Sequence, residues 1–396
     1  MRTSILFLIA LWPAGSVADE RAAAGSADYR SDNFILHTDL ARDDAEELLT
    51  KLEAMLKIVS RYWGAPSRKK IECYVVVRPD NWPDDVLPAQ AKAQVSQGGI
   101  TLAQGVRRGR QLDMMAVVYA SAEFGTPQHE AVHAYCYQTF GVTGPTWYAE
   151  GMAEMGNYWV EGDSSVNCPE YVIEFLKQSP RPTIEQITDS DQNTGDGWRN
   201  YAWRWALCHF LVNNPNYQER FRVLGANLLG SRGGSFERSF RTQQQELEFE
   251  FTFFLDHLER GFDVERCHWN WQKKFREPTT DRPITSTVRA DQGWQPSGAK
   301  FVAGGTYHVE CTGSWSISAD AAEHGAEGNG QESGMLAGCL FDGESLTESF
   351  PIDRSMPFIA PAEGQLFLRC DDDWTGLSDN KGQLSVSITL MQPVQK

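Results

Sequence analysis

The chain has 396 residues, too many for one ordinary core, so two folded domains are expected, and 41% hydrophobic residues with 13 Trp supply the apolar material. A formal net charge of −17 argues against nucleic acid as a partner, because affinity for that backbone rests on Lys and Arg neutralising phosphates. No apolar run reaches the length of a transmembrane helix, so no transmembrane segment is expected.

Residues 1–18 read as a signal peptide. Arg2 supplies the positive charge, Ile5 to Trp12 form a short apolar run, and Ser16-Val17-Ala18 offers small residues for cleavage. The destination is then periplasmic or secreted, with both open. Eight Cys in an exported chain allow disulfides, yet five (Cys73, Cys136, Cys168, Cys208, Cys267) precede the expected domain boundary and three (Cys311, Cys339, Cys370) follow it. Either one bridge crosses the boundary or some thiols stay free.

Phe34 to His37 reads as a strand, followed by an amphipathic helix from about Asp43 to Trp63 with apolar Leu48, Leu52, Met55, Leu56 and Val59, stopped by Gly64-Ala65-Pro66. Cys73 to Val77, Gly99 to Ala103 and Met115 to Ala120 are further strand candidates. From Pro127 to about Arg260 helical patterns dominate. The aromatic richness of Tyr201 to Asn213 points to core packing, with a carbohydrate-stacking surface as the alternative.

Pro278, Thr279, Thr280 and Pro283 mark a linker at residues 276–283. Alternating segments such as Tyr307 to Thr312, Gln365 to Cys370 and Leu384 to Leu390 follow, separated by Gly- and Asp-rich turns. The expected class is α+β: a small mixed sheet with a helical half over residues 28–275, then an all-β sandwich over 284–392.

The segment Thr126-Pro127-Gln128-His129-Glu130-Ala131-Val132-His133 opens as a helix, with Thr126 as the expected cap and Pro127 in the first turn. Helical spacing places His129 and His133 one turn apart, so both imidazoles reach one Zn²⁺. Glu130 sits one residue round, where a carboxylate reaches a water at the metal without ligating it. A catalytic zinc site needs a third protein ligand. After the turn at Gly141 to Pro145, a second helix from Thr146 carries Glu150 as that ligand. Glu154, one turn on, is placed to accept the free ring N–H of a ligating His. Cys136 continues the His129 and His133 face and reads as structural.

These residues resemble the gluzincin metallopeptidases, and more narrowly the peptidase-MA-like proteins whose second helix reads Trp-x-x-Glu-Gly-x-Ala-Glu, here Trp147 to Glu154. The resemblance is sharp from His129 to Glu154. It implies a gluzincin-type domain, Glu150 as third zinc ligand, Glu154 as support for a ligating His, and a peptide or protein substrate. It also places Tyr201, at the start of a later helix, where the aminopeptidase branch stabilises the oxyanion. His209, two turns beyond, is the weaker candidate and reads better as a core His. The Gly-x-Met-Glu-Asn strand of that branch is missing, which leaves the cleavage mode open. The mechanism implied is hydrolysis by a zinc-activated water with Glu130 as general base.

Near the C-terminus, Asp371 to Gly382 concentrates oxygen ligands between two strands, a plausible nest for a hard cation. From about Ile284 to Leu390 the chain is similar to the PA-IL-like calcium-dependent lectins, through Gly313-Ser314-Trp315, Gly334-Met335-Leu336 and Asp372 with Asp379-Asn380-x-Gly382. The similarity implies Ca²⁺ as a second cofactor, held by the side chains of Asp372, Asp379 and Asn380 with backbone oxygens from Gly376 and about Ser318. It also implies a glycan as a partner, although the family's sugar-contacting His and Gln have only His324 and Gln331 as approximate counterparts. The alternative to an exported zinc peptidase is a non-catalytic carbohydrate-binding protein with a vestigial peptidase domain; a purely structural zinc site suits Glu130 poorly.

Overall fold

The computed structural model describes residues 26–108, 111–123, 125–189, 197–230, 233–330, 333–352 and 357–392. The expected signal peptide and Gln331 lie outside them. The fold is α+β with three sheets. The chain first forms β1 (Ala27–Arg30), β2 (Phe34–Thr38), α1 (Arg42–Trp63), β3 (Ile71–Val76), α2 (Ala89–Val95), β4 (Gly99–Arg108) and β5 (Gln111–Ser121). Helices follow: α3 (Thr126–Phe140), α4 (Thr146–Tyr158), α5 (Glu170–Gln178), α6 (Ile184–Thr188), α7 (Trp198–Asn213), α8 (Gln218–Leu229), α9 (Phe236–Phe240), α10 (Gln244–Asp256) and α11 (Val264–Cys267). The remainder is β6 (Ile284–Arg289), β7 (Gln295–Phe301), β8 (Thr306–Ser316), β9 (Leu336–Phe341), β10 (Phe350–Pro351), β11 (Phe358–Ile359), β12 (Gly364–Cys370) and β13 (Lys381–Gln392). No helix among the described residues is long and apolar enough to cross a membrane.

Two compact units emerge. One takes Met1–Glu161, Ile187–Cys208 and Arg222–Gly234; the other takes Gly162–Gln186, His209–Phe221 and Ser235–Lys396. Residues 276–283 belong to the second of these units. Arg276 in that segment forms a parallel bridge with Ala299, donating its N–H to Gly298 O at 3.0 Å and accepting from Lys300 N–H at 2.8 Å. Those backbone bonds tie Arg276 to β7.

In the first unit the sheet order is β1-β2-β3-β5-β4, mixed as expected: β2, β3 and β5 run parallel, and β1 and β4 pair antiparallel at the two edges. Alternation in β2 and β3 sends Phe34, Leu36, Ile71, Cys73 and Val75 into the core. Helix α1 covers this layer with Ala45, Leu49, Leu52, Met55, Leu56 and Val59, and Gly64 ends it at φ 65°. The buried residue of the Leu48-Leu49 pair is Leu49, not the expected Leu48. The opposite face carries a smaller cluster of Val76, Trp82, Leu87, Ala91, Val95 and Tyr119 under α2. Trp203 and Trp205 in α7 are buried, in line with core packing.

In the second unit two four-stranded antiparallel sheets, β10-β9-β12-β7 and β11-β8-β13-β6, enclose a common core that includes Val309, Trp315, Leu340, Leu366, Leu368, Val386 and Ile388. This is the expected sandwich. The full pairing that eight cysteines would allow is not found: Cys73, Cys136, Cys208, Cys267, Cys339 and Cys370 are buried free thiols.

Candidate metal centre

The motif helix α3 starts differently from expectation. Its N-cap is Gly125 at φ 71°, with no side-chain cap bond, and Thr126 and Pro127 are already helical. Glycine is required twice over there, since a Cβ would lie 2.9 Å from Asn157 Oδ1 in an already left-handed backbone. Two further glycines let α4 approach its neighbours. A Cβ on Gly151 would meet Cys208 Sγ at 2.5 Å and the backbone oxygen of Arg204 at 2.8 Å in α7, and one on Gly156 would meet Val132 Cγ2 at 2.5 Å in α3. Close crossing brings the carboxylates of α4 against the imidazoles of α3.

The ligating atoms converge. His129 Nε2 is 3.1 Å from Glu150 Oε2 and 3.2 Å from His133 Nε2, and His133 Nε2 is 3.4 Å from the same Glu150 oxygen. Zinc bonds of about 2.0–2.1 Å in a tetrahedron require ligand atoms about 3.3–3.4 Å apart, so the triangle matches one face of that polyhedron. Two ring nitrogens and a carboxylate oxygen this close repel unless a proton or a cation lies among them. Among the described residues this is the one group of three or more His, Cys, Asp and Glu side chains positioned to hold a metal.

Electrostatics agree with the geometry. Burial disfavours the His129 imidazolium, but hydrogen bonds to Glu150 and Glu154 outweigh it and hold the ring well above its ordinary pKa. Burial likewise works against the Glu150 carboxylate, and His133 and His129 override it, keeping the group well below the usual carboxylate range. The site is thus a basin for positive charge. Glu154 Oε1 lies 2.9 Å from His129 Nδ1, and its other oxygen accepts from Asn157 Nδ2 at 3.2 Å. With Nδ1–H donated to Glu154, a cation that displaced the second ring proton would meet the Nε2 lone pair facing the site.

Glu130 is only 8% exposed. Edge strand β4 supplies its neighbour, which sequence reading missed: Thr101 Oγ1 lies 2.7 Å from the Glu130 backbone oxygen and 2.8 Å from Glu130 Oε2. One hydroxyl proton serves both acceptors. On the same strand face, a Cβ on Gly99 would meet Glu130 Cγ at 3.0 Å. The period-two pair Gly99-x-Thr101 was the available signal, but only the strand's position beside α3 gives it meaning. Tyr201 joins the centre as well, its ring stacked on His129 with centroids 5.6 Å apart and planes 30° apart.

His209 and Cys136 stand outside the centre. Burial pushes His209 down to about 4, only partly opposed by Asp163, and its ring stacks on Phe254, so it is a neutral core side chain. Burial raises the Cys136 thiol, which disfavours a thiolate ligand.

In the second unit Trp315, Gly334-Met335 and Asp371, the first residue of the acidic loop, are joined by hydrogen bonds. Trp315 Nε1 donates to Gly334 O at 2.8 Å, Gly334 N–H to Asp371 O at 2.6 Å, and Asp371 N–H to Met335 O at 2.8 Å. The Asp372 carboxylate borders Gly376, whose Cβ position would be 3.4 Å from Asp372 Oδ2. Asn380 is buried; its Nδ2 donates to Ala290 O at 3.2 Å, while its Oδ1 has no hydrogen-bond partner. Asp379 is exposed. A built-in cation shares the loop: the buried Arg369 guanidinium donates to the backbone oxygens of Cys370 and Asp372 and lies 3.7 Å from the Trp374 ring centre. His324 packs against Gly334, and its Nε2 is buried.

No family model matches the chain, and no curated protein matches it. Among solved structures it is similar to one described as "EclA N-terminal domain; PllA-like lectin", with 19% identity and a TM-score of 0.24, over 27% of this chain and 96% of that one.

Proposed function

We propose that this chain is an exported zinc-dependent metallopeptidase of gluzincin type with an accessory β-sandwich that binds calcium and glycan. The observation that carries the reading is the triangle of His129, His133 and Glu150 with the buried carboxylate of Glu130 beside it. The two imidazoles and the Glu150 carboxylate would hold zinc, which when bound lowers the pKa of a water and polarises a carbonyl. Three protein ligands leave room for substrate, as catalytic sites require.

Glu130 takes the proton of the attacking water and returns it to the leaving amine. Glu154 keeps His129 in one tautomer and orientation. Tyr201 donates a hydrogen bond to the developing oxyanion. A peptide substrate is favoured because β4 is an edge strand and its residues Gly99 and Thr101 border Glu130, so an extended chain added to that edge passes beside the base. In the sandwich, Asp372, Asp379 and Asn380 would hold calcium; the unpartnered, buried Asn380 Oδ1 supports this.

Metal content by mass spectrometry and hydrolysis of a mixed peptide library, for the wild type and Glu130→Gln, test the zinc reading. Zinc is retained in the variant while cleavage falls by roughly 10²–10⁴-fold. A wild type that takes up no zinc refutes the site; one that holds zinc and cleaves nothing leaves the vestigial domain. Calorimetric titration with Ca²⁺ shows binding that Asp372→Ala abolishes, and no heat from the wild type overturns the calcium assignment.

A further inference from the structure

The second unit contains a cavity of about 230 Å³ away from the acidic loop residues, walled by Trp271, Phe275, Phe341, Gln245, Glu246, Lys273 and Gln365. Its aromatic wall is held in place. The Trp271 indole N–H donates to Glu250 Oε1 at 2.5 Å, and that carboxylate, 2% exposed, also accepts from Tyr217 Oη at 2.7 Å, Asn216 and Asn214 Nδ2 at 2.8 Å each, and Trp269 N–H at 3.1 Å. Five donors on one buried carboxylate leave Trp271 little freedom to rotate. Trp269 lies 15° from parallel to Trp271 at 5.7 Å and is itself fully buried, so the accessible part of Trp271 is turned to the cavity.

From this lining we infer that the cavity is a binding site for one neutral pyranose ring of a glycan, independent of the zinc reading and of calcium. Drug-sized ligands fill roughly 300–1,000 Å³, so this space suits a single ring. A pyranose presents a C–H face that packs on an aromatic plane and a rim of hydroxyls. Trp271 and Phe341 supply the plane, already ordered before binding, which lowers the entropic cost. The Gln365 amide and the Glu246 carboxylate supply acceptors and donors for the rim, and Gln245, with Nε2 given to Gly343 O at 2.8 Å, keeps its amide oxygen for a hydroxyl. Glu246 and Lys273 carry opposite charges, so the wall is neutral and selects against an ionic ligand.

The test uses the full chain and methyl glycosides of glucose, galactose, mannose and N-acetylglucosamine, titrated by calorimetry and by Trp fluorescence, with Ca²⁺ and with EDTA. One glycoside binds saturably in both conditions. Gln365→Ala and Glu246→Gln weaken it at least ten-fold with an unchanged circular dichroism spectrum, and Trp271→Ala abolishes it. Because Trp271→Ala removes a donor from Glu250 and can unfold the unit, the two rim variants decide if it does. Absence of binding to every glycoside overturns the inference. So does binding that EDTA removes and the rim variants leave intact, which assigns the sugar to the calcium loop.

Discussion

At the scale of single residues, the proposed base is governed by a neighbour 29 positions away. Thr101 Oγ1 touches both the backbone oxygen and the carboxylate of Glu130, so Thr101 is a positioning residue for it. A hydrogen bond to a charged group contributes about 1.5–3 kcal/mol, so Thr101→Val lowers kcat roughly 10–100-fold. KM and zinc content stay near wild type, and Thr101→Ser, which restores the hydroxyl, recovers most of the rate. Equal kcat for the Val and Ser variants would remove Thr101 from this role. The candidate metal-site residues were legible, because helical spacing alone puts His129 with His133 and Glu150 with Glu154. Thr101 was not, since nothing local to β4 says that α3 will lie against it.

At the scale of elements, β1 is clipped to the sheet by charge. His37 in β2 lies between Asp28 of β1, 2.6 Å from Nδ1, and Glu72 of β3, 3.3 Å from Nε2, and stacks on Tyr74. Burial disfavours the imidazolium, but Glu72 and Asp28 outweigh it and raise the pKa above its ordinary value. A raised folded-state pKa stabilises the protein fully below the unfolded value, near 6.5, and the effect disappears as pH rises through the folded value. The melting temperature of the wild type therefore exceeds that of His37→Gln more at about pH 5.5 than at about pH 8.5. A pH-independent gap would deny the clip. The strand containing His37 was readable from alternation, whereas β9 was not. All six residues of β9 are buried, so it shows no alternation to read.

At the scale of the whole molecule, cysteine chemistry follows the second of the two alternatives left open by the cysteine distribution, that some thiols stay free. Burial raises the thiols of Cys73, Cys136, Cys208, Cys267 and Cys339, and that of Cys370 to about 12. Reactivity belongs to the thiolate, so these groups are inert in the native state. Native protein leaves these six unlabelled by an alkylating reagent, and denaturation without reductant exposes all six to labelling, read by peptide mapping. A disulfide linking any two of them would contradict the fold. Cysteine count is a property of composition; which thiols face one another is not.

The sequence by itself determined the donor set and its local spacing, the order of sheet, helices and sandwich, and the terminators such as Gly64, because each depends on neighbours within a turn or a strand. Tertiary structure decided the rest. Gly151 and Gly156 matter only because α7 and α3 cross α4 there, and the Asn157 side chain fills the space that a Cβ on Gly125 would need. The division of the chain at Glu161 and again within α7 and α8 depends on contacts between segments far apart in sequence. Glu250 holds Trp271 only after two separate segments, residues 214–217 and 269–271, have converged on one carboxylate. Such features are set by which distant surfaces meet, and a one-dimensional pattern encodes that meeting only through the packing of the complete fold.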